Sequence, residues 1–371
     1  MKFAIITHVA HIKRTGRLHA YSPYVREMNL WIKNASQVAI VAPLIDADPN
    51  AIHLPYEHDN CKILEVPVFD VKSASSKLKI LFMLPKILLT IFKAMKEADH
   101  IHLRCPGNIG LLGCIVQIVF PGKPKTAKYA GNWDPESKQP LSYRLQRWIL
   151  SSTLLTKNMK VLVYGQWGGQ SKNILPFFTA TYHESDKINN ISRQLDGPIQ
   201  LLFVGTLARG KRPLYAIQLG EELIKKGFEI ILRLYGEGEE RQDLENYIAL
   251  KHLGHAVFLM GNKTKEEVQD AYKESHFLIL ASESEGWPKA VAEAMFWGCI
   301  PAVSRVSCVP DMLGEGARGI LLDMKLPSDA ERMHALISNE PSYRLMSKKA
   351  ADWSRIYTID HFENEIQKLL A

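Results

Sequence analysis

Two carboxylates, Glu285 and Glu293, flank Gly286, Trp287 and Pro288 in the run SESEGWPKAVAEAMFWGCIPAVS, residues 282–304. Carboxylates accept hydrogen bonds from hydroxyl groups. Between them a helix should start. Pro288 suits its first position, because the missing N–H would have no partner there anyway. PKAVAEAMFW makes about three turns, and Gly298 ends the helix in a C-cap position. Glu285 then sits ahead of the helix and Glu293 about one and a half turns in. The N–H groups near Gly286, Trp287, Lys289 and Ala290 lack helical partners, and such a terminus attracts anions. Gly286 lets a ligand approach the backbone closely. Amides for phosphate and carboxylates for hydroxyls are what holding a sugar nucleotide requires. On spacing alone a plainer reading stands beside it: Glu285 as a helix-start carboxylate and Glu293 as a solvated helix residue.

Positioning those groups takes strands. FAIIT, VAIVAP, HIHLR, TAKYAG and VLVYG read as buried strands in the first half of the chain. IQLLFVG, EIILRLYG, AVFLMG, FLILAS, IPAVS and GILLD read so in the second. Helical segments such as PLYAIQLGEELIKKG and TKEEVQDAYKES lie between them, and this alternation argues for parallel sheets covered on both faces. The polar stretch 181–198 ends in Gly-Pro and is the best linker candidate. The expected architecture is α/β, two Rossmann-like doubly wound halves facing a cleft, with ligands at the carboxyl ends of the strands.

The bulk properties agree. The 371 residues suit two domains, and 46% hydrophobic with 23% charged content marks a globular chain. The five Cys show no CxxC pair and no zinc spacing, which reads as reduced, cytoplasmic thiols. The apolar part of MKFAIITHVAHIKRTG is too short for a signal peptide and reads as a first strand. The net charge is +7. A basic balance points to nucleic acid, an anionic membrane surface or phosphorylated ligands. Without zinc-finger spacing, RNP-like aromatics or a dense Arg tract, no nucleic acid is expected. Residues 76–98, SKLKILFMLPKILLTIFKAMKEA, are apolar but interrupted by Lys77, Lys79, Lys86, Lys93 and Lys96, too often for a span of ~20 residues. They form either a helix covering a sheet or a basic amphipathic helix on an anionic membrane, and the two are not exclusive. The single DxD, Asp46-Ala-Asp48, reads as a turn, and no metal site is expected.

Glu285 and Glu293, with seven residues between them, resemble the E-x7-E signature of family-4 retaining glycosyltransferases of the GT-B fold. LLFVGTLARGKRP, residues 201–213, resembles that family's strand, glycine turn and phosphate-binding Lys, here Gly205 and Lys211 with Arg209 as a second cation. LRLYGEGEE resembles its later G-x-G strand end, Gly236 and Gly238. The resemblance is strong over about 200–325. It implies that Glu293 holds the ribose hydroxyls, that Glu285 contacts the donor sugar, and that Lys211 and Arg209 bind the diphosphate without a metal or other cofactor. It further implies a UDP- or GDP-sugar as donor, a glycan or lipid-linked acceptor, a role in cell-surface polysaccharide synthesis, and a cytoplasmic protein peripheral to the inner face of the membrane. The domains would be 1–190, which takes the acceptor, and 198–354, which takes the donor, with a last helix at about 355–371 packing back onto the first.

The first half departs from this pattern. The family's paired glycine loop after the first strand is reduced to Gly16, and its His-x-His becomes His102 and Arg104. An Arg can hold a phosphate or an acceptor hydroxyl but is no base near neutral pH. Asn132, Trp133 and Asp134, which end another strand, are acceptor-side candidates, against a reading in which Trp133 packs and Asp134 caps. Two rival classes remain. One is a non-transferring GT-B enzyme such as a sugar-nucleotide epimerase. The other is a nicotinamide-dependent oxidoreductase, which needs G-x-G-x-x-G, whereas GEGEER has Arg241 at the third glycine.

Overall fold

The computed structural model describes residues 1–50, 52–67, 74–188 and 193–371, with only the backbone of 74–81. The chain divides into two units, Met1–Phe177 with Glu363–Ala371, and Phe178–Phe362. The first unit holds seven strands: β1 (Lys2–Ile6), β2 (Gln37–Ala42), β3 (Cys61–Glu65), β4 (His100–Cys105), β5 (Lys125–Tyr129), β6 (Met159–Tyr164) and β7 (Ile174–Phe177). Their order is β7-β6-β5-β4-β1-β2-β3, and every pairing is parallel. β1, β2 and β6 are rich in Val, Ile and Leu because both faces are covered. The second unit holds β8 (Ile199–Val204), β9 (Ile230–Tyr235), β10 (Val257–Gly261), β11 (Phe277–Leu280), β12 (Ile300–Ser304) and β13 (Ile320–Leu322), in the order β10-β9-β8-β11-β12-β13. Both units are thus doubly wound, and in each the strand order reverses beside the first strand.

Right-handed crossovers place helices by direction of travel. In the first unit α1 (Ser22–Ile32) connects strands running one way from β1. The helices α2 (Ala74–Glu97), α3 (Asn108–Val116) and α4 (Leu141–Ser151) connect strands running the other way, so they share one face of the sheet. Ile87, Ile91 and Met95 of α2 join Leu112 and Val116 of α3 and Ile149 and Leu150 of α4 in one buried cluster. Each such side chain, fully buried, contributes roughly 1.5–3 kcal/mol. The helix expected over 76–98 is therefore present and covers its sheet; the side chains of Lys77 and Lys79 lie outside the described residues. The second unit continues with α5 (Pro213–Lys225), α6 (Arg241–Leu250), α7 (Lys265–Glu274) and α8 (Lys289–Phe296), followed by longer helices at Leu326–Ile337 and Glu340–Ser354.

Three features bear on the sequence expectations. The stretch 181–198 follows a unit boundary at Phe177/Phe178, and its described part is anchored: the Arg193 guanidinium donates to the carbonyls of Lys273, Tyr272 and Trp297 at 2.7, 2.9 and 2.7 Å. That cation caps the ends of α7 and α8, where carbonyls lack helical donors. The last helix is Ile359–Leu370, and its residues from Glu363 on group with the first unit, where Glu363 pairs with Lys33 at 2.5 Å. Between β1 and β2 the chain forms a hairpin, His11–Arg14 with Arg17–Tyr21, extended by Leu44–Ile45 and His53–Pro55 into a small four-stranded sheet. Thr15 and Gly16 at its tip have φ of +48° and +78°, the left-handed pair a tight hairpin turn needs.

Candidate active site

The site expected from sequence lies at the carboxyl ends of β8 and β11, where the strand order of the second unit reverses and the loops leave in opposite directions. The loop after β8 runs through a short 3-10 turn at Arg209–Lys211 into α5. The loop after β11 carries Ser282 to Pro288. Three contacts join them: the Glu283 N–H donates to the Gly210 carbonyl at 2.9 Å, Lys211 Nζ meets Glu285 Oε1 at 2.6 Å, and Arg212 Nη2 meets Glu283 Oε1 at 3.0 Å. The Glu285 side chain is 8% exposed and that of Lys211 34%. A carboxylate so withdrawn from water needs a charged partner, and Lys211 supplies it. Arg209 is exposed on the same turn. A polar pocket of about 450 Å³ adjoins these loops, lined among others by Arg212, Ser282, Glu283, Ser304 and Asp323.

The glycines of the neighbouring loops serve close backbone approach. The Gly205 and Leu207 N–H groups donate to the carbonyls of Tyr235 and Glu237, each at 3.0 Å. A Cβ on Gly236, whose φ is +138°, would stand 2.0 Å from the Gly205 carbonyl oxygen, and one on Gly238 2.3 Å from that of Leu207. Gly205 itself has only the Phe203 ring near, at 3.6 Å. Gly236→Ala should therefore force the two loops apart and cost about 2 kcal/mol or more of stability. Urea unfolding measures it, and a loss under about 0.5 kcal/mol, the range of ordinary surface changes, would reject the contact. Arg241, at the position of a third dinucleotide-binding glycine, is tied to Glu237 and Glu245 at 2.6 and 2.9 Å.

Glu293 lies on α8. Pro288 is the N-cap residue of that helix, just outside it, and the helix runs eight residues, Lys289–Phe296, shorter than expected. Gly298 takes the expected left-handed conformation, with φ +71°. The carbonyl of Pro288 accepts from the Val291 and Ala292 N–H groups, so the earlier amides face outward at the helix start. Both Glu293 oxygens are engaged: Thr181 Oγ1 donates to Oε1 at 2.7 Å and the Tyr272 hydroxyl to Oε2 at 3.0 Å. Tyr272 is fully buried; burial first, and then the Glu293 charge, push its pKa well up, so it stays a donor. These two residues are 112 and 21 positions from Glu293, beyond the reach of any local spacing rule. Trp287 stacks on Trp353 at 6.2 Å and meets Tyr357 edge-on at 5.5 Å, anchoring the loop. The Gly286 carbonyl accepts from the Cys308 thiol at 3.1 Å. Lys289, half-buried, opens the helix.

The first-unit candidates other than Gly16 are drawn into structural contacts. Arg104 Nη1 and Lys128 Nζ share Glu27 Oε1 at 2.8 and 3.1 Å, a buried cluster of two cations and one carboxylate. His102 is fully buried; Thr126 Oγ1 lies 2.8 Å from its Nδ1, and burial lowers its pKa to about 3, so it is neutral. Gly16, at the hairpin tip, has open space around it. Trp133 is 1% exposed, gives its indole N–H to Gln170 at 3.1 Å and packs edge-on against Tyr129. Asn132 Oδ1 accepts from the Asp134 N–H, and Asp134 Oδ1 from the Glu136 N–H, both at 2.9 Å, as in a capped turn. Asp46 and Asp48 both pair with Arg14, at 2.7 and 2.9 Å, so the DxD closes a loop. Where the strand order of this unit reverses, Gly107 lies against His8: a Cβ there would come within 2.4 Å of His8 Nδ1. The sequence reading passed over His8, whose only signal is its place just past β1.

Two doubly wound parallel sheets with an acidic pair at a strand-order reversal define a GT-B-like α/β protein. Residues 184–353 match the family model described as glycosyl transferases group 1. Among curated proteins the chain is similar to an uncharacterized glycosyltransferase of Methanocaldococcus jannaschii, 24% identical over 155 residues, covering 39% of this chain and 44% of that protein. The matched region spans less than half the length of the curated relatives. Among solved structures it is similar to the lipopolysaccharide outer core galactosyltransferase WaaB in its apo form, with a TM-score of 0.71, 17% identity and coverage of 100% of this chain and 99% of that one. It is similar also to Anabaena HepE in complex with UDP, with a TM-score of 0.69, 14% identity and coverage of 100% and 98%. At those identities the structures share the fold.

Proposed function

We propose that this protein is a retaining glycosyltransferase that moves a sugar from a UDP- or GDP-sugar to a glycan or lipid-linked acceptor, in cell-surface polysaccharide synthesis on the cytoplasmic side of a membrane. The observation that carries the reading is the Lys211–Glu285 pair at 2.6 Å, at the strand-order reversal, with Glu293 one helix start away. In this reading Glu293 accepts from the ribose hydroxyls and Glu285 from a hydroxyl of the donor sugar. Lys211, Arg209 and the amides at the start of α8 meet the diphosphate. The bond between the sugar carbon and the phosphate oxygen breaks, and the acceptor oxygen bonds to that carbon on the same face. The acceptor proton passes to the departing diphosphate. The charge that grows on the diphosphate is what fixed cations and amides stabilise, so no metal and no cofactor enters the scheme. WaaB, by its name a galactosyltransferase of the lipopolysaccharide outer core, and HepE, solved with UDP, support the donor class and the polysaccharide setting.

The test is a panel of UDP- and GDP-sugars offered with and without glycan acceptors, with nucleoside diphosphate release and product mass as readouts. Transfer should proceed in EDTA at the rate seen without it. Loss of activity in chelator, restored by Mg²⁺ or Mn²⁺, would reject the assignment of the diphosphate to Lys211 and Arg209. Conversion of the sugar nucleotide with no acceptor present would favour the epimerase reading.

A further inference from the structure

We propose that the outer face of the α2–α3–α4 layer of the first unit docks on an anionic lipid bilayer, with α4 as the inserted element. The surface is defined by what it exposes and does not depend on the sugar-nucleotide assignment.

Helix α4 buries Gln146, Ile149 and Leu150 and turns Leu141, Arg144, Leu145 and Trp148 outward, at spacings of three and four that make one stripe. Leu141 is 77% exposed and Trp148 64%. A helix facing only water has no use for a Leu-Leu-Trp stripe, and contiguous exposed apolar surface marks an interaction site. Helix α2, in the same layer, repeats the arrangement: Ile87, Ile91 and Met95 point inward while Phe82, Leu89 and Phe92 point outward. Half of the chain's exposed large hydrophobic side chains in the described residues, nine of eighteen, lie between Phe82 and Leu154. Seven of the nine are on α2, α3 and α4, and Val119 and Leu154 follow directly after α3 and α4.

Charge selects the partner. The first unit holds 24 Lys and Arg against 13 Asp and Glu, a net charge of +11, whereas the second holds 22 against 26, a net of −4. The asymmetry is sharpest here. Between Asp99 and Asp134, and again between Glu136 and Glu184, the chain contains no carboxylate. Lys86, Lys93 and Lys96 stand exposed beside the α2 stripe, and Arg144 within that of α4. Cations around an apolar, Trp-bearing stripe match a bilayer interface, where phosphates meet acyl chains and Trp sits at their boundary. A polynucleotide offers the phosphates but nothing for the Leu-Leu-Trp stripe. Among the described residues no helix is long and apolar enough to cross a membrane, so the layer lies on the surface. Each cation near an anionic leaflet strengthens partition roughly fivefold, an effect that salt screens.

Sedimentation with vesicles of phosphatidylglycerol and phosphatidylcholine at low salt tests this. Wild-type protein should pellet with these vesicles and far less with phosphatidylcholine alone. The double substitution Leu145→Gln with Trp148→Gln should lower partition at least tenfold. Lys93→Gln with Arg144→Gln should do so too, and should flatten the salt dependence. All four positions are exposed, so circular dichroism and UDP binding should stay as in wild type; that separates failure here from failure of the transferase reading. Vesicles should shift the Trp emission of wild type to the blue, and Trp148→Phe should abolish the shift while still binding. Wild type remaining in the supernatant, a double variant that partitions like wild type, a blue shift that survives in Trp148→Phe, or tighter binding to a single-stranded oligonucleotide than to the vesicles would each overturn the proposal.

Discussion

Glu293→Ala is expected to bind UDP or GDP, whichever the donor carries, about tenfold to a hundredfold more weakly than wild type. A hydrogen bond to a charged group is worth roughly 1.5–3 kcal/mol, and the ribose hydroxyls would make theirs to this carboxylate. The structure adds a complication. Glu293 also accepts from Thr181 and Tyr272, and the Tyr272 hydroxyl is buried. Removing the carboxylate strands that hydroxyl, at roughly 1–3 kcal/mol of stability. Glu293→Gln separates the two effects, because its amide oxygen can still accept from one of the two hydroxyls while the charge is gone. Calorimetry should find the nucleotide weakened in both variants and the stability loss smaller in Gln. Nucleotide affinity equal to wild type in the Ala variant would reject the ribose assignment.

Lys211→Met should lower kcat about a hundredfold to a thousandfold, the usual consequence of removing one fixed group that meets transition-state charge, with a smaller change in KM. It should also destabilise the fold, since it leaves Glu285, whose side chain is 8% exposed, without its cation. Breaking a fully buried pair costs about 3–5 kcal/mol. Lys211 is one-third exposed and solvent screens the pair, so about 1–2 kcal/mol is expected. The double variant Lys211→Met with Glu285→Gln tests both halves. It should regain most of the stability, because no buried charge is left alone, and none of the activity. If Lys211→Met retained wild-type kcat, Lys211 would be only the structural partner of Glu285.

Much of this was legible in the chain because the rules involved are local. Buried parallel strands read as continuous apolar runs, so β1, β2 and every strand of the second unit could be placed from residue type alone. Cys61–Glu65 and Ile174–Phe177, sheet-edge strands with fewer buried positions, were not. The small sheet around Thr15 and Gly16 was missed because its strands are polar and its signal is one Thr-Gly dipeptide. The loop-helix-strand unit that carries Glu285 and Glu293 was legible too, since a strand end, a Pro, a helix and a Gly succeed one another within two dozen residues.

What the sequence by itself determined, then, is the alternation of strands and helices, the placement of Glu285 after a strand and of Glu293 in the helix that follows, and the basic balance of the chain. Tertiary structure alone decided which groups meet. Lys211 and Glu285 are 74 residues apart and touch because β8 and β11 are neighbours in the sheet. Arg104 was a candidate by its place after β4, but Glu27 from α1 reaches it and closes it into an ion cluster with Lys128. Trp133, Trp148 and Trp287 look alike in a sequence. One is buried against Tyr129, one is exposed on α4, and one is stacked on Trp353. The physical reason is common to all of these. Backbone propensity and periodicity act over a turn or a strand, whereas burial and pairing depend on which other element arrives at the same place, and that is set by sheet order and crossover direction.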